Sequence, residues 1–293
     1  MKKVVATVLA AVAVCSTMSF VACTTPTPSA DNNKGVKVYK SILLTEEDYA
    51  FAIKKENTDL KTSVNELIAD MKEDGSLDEL IDSYFDGTAT FTYTNKTSAP
   101  AADDFVMATN AYFPPFEYYE GEAFKGVDVE MAYKIAQKLG KNLFVKDMDF
   151  DTIIADVKNG ASNIGMAGMT VTDERLEQVD FATPYYKSAQ VLTVKVGNTK
   201  FDSCTTAEQV ENILKAQSKS FKIGTQTGTT GYMYSAGDED FGYDGFKNLT
   251  TKSYQTGALA MTDLDNGRID AVILDLQPSL MIAQSINAKY HYK

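Results

Sequence analysis

The chain has 293 residues, of which 44% are hydrophobic and 23% are charged, so it is long enough for two domains and has an ordinary globular composition. Acidic side chains outnumber basic ones by 40 to 28, which gives a net charge of −12. Binding to a nucleic-acid backbone needs clustered lysine and arginine. The charge balance therefore excludes nucleic acid as an expected partner.

The first residues have the three parts of a bacterial signal peptide. Lys2 and Lys3 are positive, residues 4–14 form an apolar core too short to span a bilayer, and small residues lead to Cys23. Residues 20–23 (FVAC) resemble a lipobox, which predicts a signal peptide over residues 1–22 and a lipidated Cys23. Cleavage after Ala22 without a lipid is the alternative. Residues 23–35 are rich in Pro, Ser, Thr and Asn, and we expect them to form a tether.

The part of the chain that follows the tether predicts two strands and two helices. Residues 36–44 and 48–53 are strand-like, and the second run alternates and is rich in aromatic residues. Apolar residues recur at helical spacing from residue 60 to residue 71, and Gly75 ends that helix. Ser76 and Glu79 match a capping box, which predicts a second short helix up to residue 85. Residues 86–104 are polar and without a period, and we interpret them as a linker.

From residue 105 onwards, predicted strands alternate with predicted helices. The strands are residues 105–109, 143–147, 164–169, 190–196, 222–225, 248–253 and 271–274, and the helices are residues 127–139, 152–159, 230–235, 256–266 and 278–287. This alternation is typical of an α/β protein with parallel strands. Ligands of such sheets bind beyond the carboxyl ends of the strands.

Residues 164–186 (IGMAGMTVTDERLEQVDFATPYY) contain the groups most suggestive of ligand binding. Arg175 can bind a carboxylate through two hydrogen bonds, while the Gly168 carbonyl and the Thr170 hydroxyl can accept from an ammonium group. Together these groups suit a zwitterion. A surface ion pair with Glu174 or Glu177 is the alternative for Arg175.

Cysteine and histidine give little support for an enzyme. Cys15 lies in the leader and Cys23 at its end, so Cys204 is left without a partner and is interpreted as an incidental thiol. The only histidine, His291, lies three residues from the end, so no Ser-His-Asp or Cys-His arrangement is available. No spacing suggests a transition-metal site. We expect no cofactor and no catalytic residues.

Five motifs resemble the extracellular solute-binding proteins of polar amino-acid ABC importers, and they occur in that family's relative order. They are TNAYFPPFEYY (residues 109–119), KGVDVEMAYKIAQKLG (125–140), MAGMTVTDERLEQVDFATPYY (166–186), IGTQTGTTGYMY (223–234) and NGRIDAVILD (266–275). The resemblance implies a two-lobed, type II periplasmic-binding-protein-like α/β fold with a ligand cleft between the lobes. It also implies that the protein captures a polar amino acid and delivers it to an ABC transporter permease. The protein would be a monomer, and a lipid would anchor it to the outer face of the cytoplasmic membrane.

The order of the segments departs from that family. Residues 44–85 resemble the family's carboxyl-terminal segment but precede the rest, so we interpret the chain as a circular permutant whose new ends open the second crossover between the lobes. The predicted boundaries are residues 36–196 for lobe one, including the linker at 86–104, and residues 197–293 for lobe two. A duplicated or truncated gene and a domain swap are the alternatives.

The resemblance also implies a set of ligand-binding residues. Arg175 would bind the α-carboxylate with the backbone N–H groups of Thr170 and Thr230, and Asp275 would bind the ammonium group with Gly168 and the Thr170 hydroxyl. The side chain of the ligand would lie between Phe113 and Phe150, although a buried Phe is more often simply core. The complete predicted set is Asn110, Phe113, Phe150, Gly168, Thr170, Arg175, Gln226, Thr229, Thr230 and Asp275.

The identity of the amino acid is open at this level. Members of the family that select cationic side chains often carry Asp where this chain has Asn110, and the apolar Leu274 precedes Asp275. Both features favour a neutral ligand. Two other functions remain alternatives: a dehydratase on the same fold, because a fold does not fix a function, and an amino-acid sensor lipoprotein that works without a transporter.

Overall fold

A computed structural model of the protein describes residues 34–290, so the predicted signal peptide and Cys23 lie outside the described residues. The strands are β1 Val36–Val38, β2 Glu47–Tyr49, β3 Ala52–Ile53, β4 Phe105–Thr109, β5 Tyr112–Phe113, β6 Glu117–Glu120, β7 Ala123–Lys125, β8 Leu143–Asp147, β9 Ile164–Gly165, β10 Asp180–Phe181, β11 Tyr186–Ser188, β12 Gln190–Lys195, β13 Lys222–Gln226, β14 Thr250–Tyr254 and β15 Ala271–Asp275.

The helices are α1 Thr58–Glu73, α2 Ser76–Phe85, α3 Val127–Lys138, α4 Ile153–Lys158, α5 Asp173–Gln178, α6 Ala207–Lys215, α7 Thr230–Ala236, α8 Gly257–Asp265 and α9 Leu276–Ala288, with a 3₁₀ turn at Phe150–Thr152. Within residues 34–290, none of them has the length and apolar character needed to cross a bilayer.

Two five-stranded sheets with the same internal plan form the two lobes. Lobe one is built on the sheet β10-β3-β9-β4-β8 and lobe two on the sheet β1-β12-β15-β13-β14. In lobe one, β8 and β9 run parallel to β4, and β3 pairs antiparallel with β9. In lobe two, β14 and β15 run parallel to β13, and β12 pairs antiparallel with β15. The protein therefore has the two-lobed α/β fold.

The chain passes between the lobes at an antiparallel ribbon formed by β2 and β11. Tyr186 pairs with Tyr49, and Ser188 pairs with Glu47. β2 connects β1 of lobe two to β3 of lobe one, and β11 connects β10 of lobe one to β12 of lobe two. The chain thus enters the antiparallel strands β3 of lobe one and β12 of lobe two after crossing from the opposite lobe through this hinge ribbon.

This connectivity corrects two predictions. Boundaries at residues 36–196 and 197–293 would assign β1 and β12 to lobe one, whereas both strands pair within the sheet of lobe two. The prediction that the chain ends interrupt the second crossover between the lobes is also wrong. β2 and β11 each carry the chain from one lobe to the other without a break. Alternation of residue types does not reveal which sheet a strand joins, and the boundaries were misplaced for that reason.

The end of α9 lies beside the start of β1. The Asn287 side chain accepts from the Val36 N–H at 2.9 Å and donates to the Val36 carbonyl at 2.9 Å. The Gly35 N–H donates to Asp265 at 2.9 Å. Residues that are 251 positions apart in sequence are therefore hydrogen-bonded neighbours within lobe two.

The predicted helix over residues 60–71 is present as α1, and its apolar face is buried. Val64 and Ile68 are fully buried, and the Asn57 side chain caps the helix by accepting from the Leu60 N–H. The predicted capping box at Ser76 is wrong. Gly75, at φ 82°, is the N-cap of α2 without a side-chain bond, and Ser76 already lies inside the helix.

The predicted linker at residues 86–104 packs onto lobe one and is more than a connection. Tyr93 forms a backbone bridge to Phe124 on β7, and its hydroxyl donates to the Leu143 carbonyl. The side chain of Asn95 donates to and accepts from the backbone of Val145, both at 2.8 Å. These bonds cover the exposed edge of β8.

Candidate ligand-binding site

A narrow cavity lies between the two lobes, and all ten predicted site residues line it. Lobe one supplies Asn110, Phe113, Glu117, Phe150, Gly168, Thr170 and Arg175, and lobe two supplies Gln226, Thr229, Thr230 and Asp275. Glu117 is the one lining residue in this set that sequence analysis did not single out.

Arg175 is buried on the lobe-one side of this cavity and is not a surface ion pair. It lies in α5, whose N-cap Thr172 accepts from the Arg175 N–H at 3.1 Å. The guanidinium donates to the Thr170 carbonyl at 2.6 Å and to the Gly228 carbonyl of lobe two at 3.0 Å, and it lies over the Phe150 ring. Burial lowers the pKa of Arg175, but an arginine stays protonated in proteins.

Asp275 supplies the opposite charge from lobe two. It is the last residue of β15, it is 3% exposed, and its carboxylate accepts from the Tyr49 hydroxyl. Burial, followed by repulsion from Glu47, raises the pKa of Asp275 to about 7. Because the cation and the acid come from different lobes and line one cavity, the site suits a ligand that carries both charges.

Gly168 and Thr170 occupy the loop between β9 and α5. Gly168 has a φ of +51°, and a side chain there would meet the Phe113 ring at 2.7 Å, so only glycine fits. Its N–H donates to buried Asp128 at 2.9 Å, and Asp128 also accepts from Tyr185 at 2.5 Å. This support fixes the direction of the loop at the cavity wall.

Contacts across the cleft close the far end of the cavity. The side-chain amide of Gln226 donates to the Asn110 carbonyl oxygen at 3.0 Å, which joins β13 of lobe two to the loop after β4 of lobe one. Asn110 in turn donates to the Met148 carbonyl at 2.9 Å. Thr229, the N-cap of α7, donates to the Gln226 carbonyl at 2.9 Å. Asn110, Gln226 and Thr229 thus form a polar end of the cavity.

Glu117 is the most unusual group on the cavity wall. It is 0% exposed, and the partner of its carboxyl group is a second buried acid, Asp128, with which it shares a side-chain hydrogen bond. Burial, followed by repulsion from Asp128, raises the pKa of Glu117 well above its ordinary value. In the sequence, Glu117 stands out only as the single charged residue in the aromatic run of residues 112–119. Two adjacent buried acids favour one proton between them, and a cation beside Glu117 would favour its ionised form.

Glu47 lies behind the cavity wall and was also missed by sequence analysis. It belongs to the hinge strand β2, is 5% exposed, and accepts from the hydroxyls of Thr170 at 2.6 Å and of Thr230 at 2.8 Å. A third hydroxyl, that of Thr45, donates to its other oxygen at 2.8 Å. No pattern in residues 44–53 sets Glu47 apart from Glu46 and Asp48.

Comparison with known proteins gives a consistent family relationship. Residues 105–254, half of the chain, match the sequence profile of the bacterial extracellular solute-binding proteins, family 3. A putative ABC transporter arginine-binding protein 2 of Escherichia coli (strain K12) is 32% identical over 179 residues, or 61% of this chain. The match spans 65% of that relative, so the chain covers less than two thirds of its length.

Two solved structures agree in fold. An ancestral arginine-binding protein bound to arginine is 30% identical with a TM-score of 0.52, covering 64% of this chain and 76% of its own. The ancestral amino acid-binding protein AncCDT-1, a precursor of cyclohexadienyl dehydratase, is 26% identical with a TM-score of 0.53, covering 62% and 74% respectively. Asp275 and Glu47 lie outside the span matched by the family profile.

Proposed function

This chain belongs to the bacterial extracellular solute-binding proteins, family 3, and on that premise we propose that it captures a free polar amino acid between its lobes and delivers it to an ABC importer. The observation that carries the proposal is the placement of buried Arg175 and buried Asp275, from opposite lobes, on one cavity. A zwitterion neutralises both groups at once. Each charge-assisted bond of this kind contributes about 1.5–3 kcal/mol.

The roles follow from donor and acceptor chemistry. Arg175 has five N–H donors and uses two of them on carbonyl oxygens, which leaves donors for the α-carboxylate, with help from the N–H groups of Thr170 and Thr230. Asp275 takes the α-ammonium group together with the Gly168 carbonyl and the Thr170 hydroxyl. A ligand that contacts both lobes favours the closed state. The bond from Arg175 to the Gly228 carbonyl also joins the two lobes in that state.

We propose further that the side-chain pocket takes a cationic side chain such as that of arginine. The zwitterionic part of the ligand neutralises Arg175 and Asp275 and leaves Glu117 with only a second acid, Asp128, beside it. A guanidinium supplies both hydrogen-bond donors and the missing positive charge, and the Phe113 and Phe150 rings can stack on it. This proposal differs from the neutral ligand that Asn110 and Leu274 favour, because it takes Glu117 into account.

Isothermal calorimetry against the twenty common amino acids, ornithine and cystine tests the proposed function. We expect L-arginine to bind tightest and Arg175→Ala to abolish binding while unfolding remains cooperative. Arg268→Ala is the matched control, because that arginine is 65% exposed and pairs with Asp263 on the surface. Absence of binding by the wild type, or unchanged affinity in Arg175→Ala, would contradict the proposal.

We propose no enzymatic activity. The relationship to AncCDT-1 makes dehydration of a cyclic substrate the specific alternative to test. Incubation with prephenate followed by product analysis separates the two functions, because a binding protein leaves prephenate unchanged. Formation of product by the wild type but not by Arg175→Ala would establish the enzyme instead.

The anchor and the arrangement of the chain are also proposals. We propose that Cys23 is lipidated and holds a monomer at the outer face of the membrane; in Cys23→Ala the protein should move from the membrane fraction to the soluble one. We propose that residues 36–85 stand where the family has its carboxyl-terminal segment, so that the chain is a circular permutant with lobe two closed by β1. The bonds between Asn287 and Val36 support this arrangement.

A further inference from the structure

The hinge strand β2 supplies a carboxylate that joins three separate parts of the molecule. Glu47 accepts from Thr45 in its own segment, from Thr170 in lobe one and from Thr230 in lobe two. Thr170 and Thr230 both line the ligand cavity, whereas Glu47 lies behind them. Glu47 therefore cannot be read as one more residue of the cavity wall.

The bonds to Glu47 decide how the two threonine hydroxyls face the cavity. A hydroxyl has one hydrogen to donate and two lone pairs that accept, and a carboxylate only accepts. The hydrogens of the Thr170 and Thr230 hydroxyls are therefore used on Glu47. Towards the cavity, these hydroxyls can act only as acceptors. Thr230 also accepts from the Gln190 amide at 3.0 Å, so Thr170 keeps more free acceptor capacity.

We infer that Glu47 is a positioning residue for amino-acid capture: it fixes the Thr170 hydroxyl as an acceptor for the ligand's ammonium group, and its bonds to Thr170 and Thr230 tie both lobes to the hinge. The inference rests on the proposed function. Its position suits this task, because Glu47 is buried and bonds to one residue of each lobe at 2.6 Å and 2.8 Å. Without it, the Thr170 hydroxyl is free to rotate or to donate elsewhere, and it must be reoriented as an acceptor when the ligand binds, which weakens affinity.

The test measures L-arginine affinity by calorimetry in four single variants and one double variant. We expect Glu47→Ala to weaken binding at least about tenfold. Glu47→Gln should stay within about threefold of wild type, because its amide oxygen still accepts from both threonines. Glu46→Ala, a change of the exposed neighbour, is the matched control and should leave affinity unchanged.

A double-mutant cycle with Thr170→Val separates positioning from a general loss of structure. If Glu47 acts through the Thr170 hydroxyl, the loss in Glu47→Ala combined with Thr170→Val is smaller than the product of the two single losses by at least about threefold. Losses that multiply, or a Glu47→Gln variant as weak as Glu47→Ala, would overturn the inference. A wild type that binds no amino acid would overturn the proposed function and, with it, this inference.

Discussion

At the level of single residues, the raised pKa of Asp275 predicts binding that depends on pH. The titratable and charged groups around it are Glu47 and Tyr49 on β2, Glu117 on β6, Arg175 on α5 and Tyr186 on β11. An ammonium group requires an ionised Asp275, whose pKa is about 7 in the ligand-free protein. Binding therefore releases a proton, and affinity rises with pH until Asp275 is ionised.

The expected size follows from that pKa. At pH 6, L-arginine should bind at least about tenfold more weakly than at pH 8, because most Asp275 must lose a proton before the ligand binds and Glu117, whose pKa is also raised, must be ionised to pair with the guanidinium. Calorimetry in buffers of different ionisation enthalpy measures the proton released at pH 7. Asp275→Asn should bind weakly and with a flatter pH profile. An affinity that falls as pH rises from 6 to 8 would contradict the assignment of the ammonium group to Asp275.

Glu117 predicts the selectivity of the pocket. In Glu117→Gln we expect L-arginine affinity to fall at least about tenfold, because a charge-assisted bond is lost, while affinity for L-glutamine stays the same or improves. Glu122→Gln is the matched control, since Glu122 is exposed near the end of the same hairpin. Equal losses for both ligands would instead indicate that Glu117 only supports the structure around Asp128.

The residues that sequence analysis found and those it missed differ in how far apart their partners lie. Thr170 and Arg175 belong to one short motif, so a resemblance could identify them together. Glu47 became visible only in three dimensions, because its partners Thr170 and Thr230 lie 123 and 183 positions away. Its importance lies in those contacts, and nothing in its local sequence encodes them.

At the level of elements, regular apolar spacing made most helices predictable. α1 and α3 begin and end within two residues of the predicted ranges 60–71 and 127–139. α6 was missed because only Val210 and Leu214 are buried along its length, and two apolar positions do not establish a period. The three-stranded sheet β5-β6-β7 was missed because its first turn is an aromatic run with two prolines. That sheet carries Phe113 and Glu117 to the cavity.

The placement of α1 predicts that this helix is essential to lobe one. Ile68 is fully buried in the main core, and α1 packs against α2 and α3. Ile68→Ala should lower the free energy of unfolding by about 2–5 kcal/mol, because it leaves a cavity in a packed core. Thr62→Ala on the exposed face of the same helix should change it by less than about 0.5 kcal/mol. Urea denaturation measures both, and an unchanged midpoint for Ile68→Ala would mean that α1 is dispensable.

At the level of the whole molecule, each sheet combines strands from distant parts of the chain. The two lobes have the same plan only when β1 completes the sheet of lobe two and β3 that of lobe one. The displaced segment that the resemblance implies stays a prediction, and the predicted lobe boundaries were wrong. Sequence analysis had no means to see that β2 and β11 pair at the hinge.

The proposed permutation predicts that the family's order can be restored without loss of binding. A rearranged chain would run from Phe105 to Tyr290, continue through a short Gly-Ser linker to Gly35 and end at Asp104. The linker has little distance to span, because Asn287 bonds to Val36. Both hinge strands and every cavity residue keep their neighbours.

We expect cooperative unfolding of the rearranged chain and L-arginine affinity within about threefold of the original chain, since permutation is tolerated where chain ends lie close together at a surface. The rearranged chain carrying Arg175→Ala is the non-binding control. A rearranged protein that aggregates, while the original chain folds and binds, would show that the present order of segments is required by the fold and would contradict the permutation.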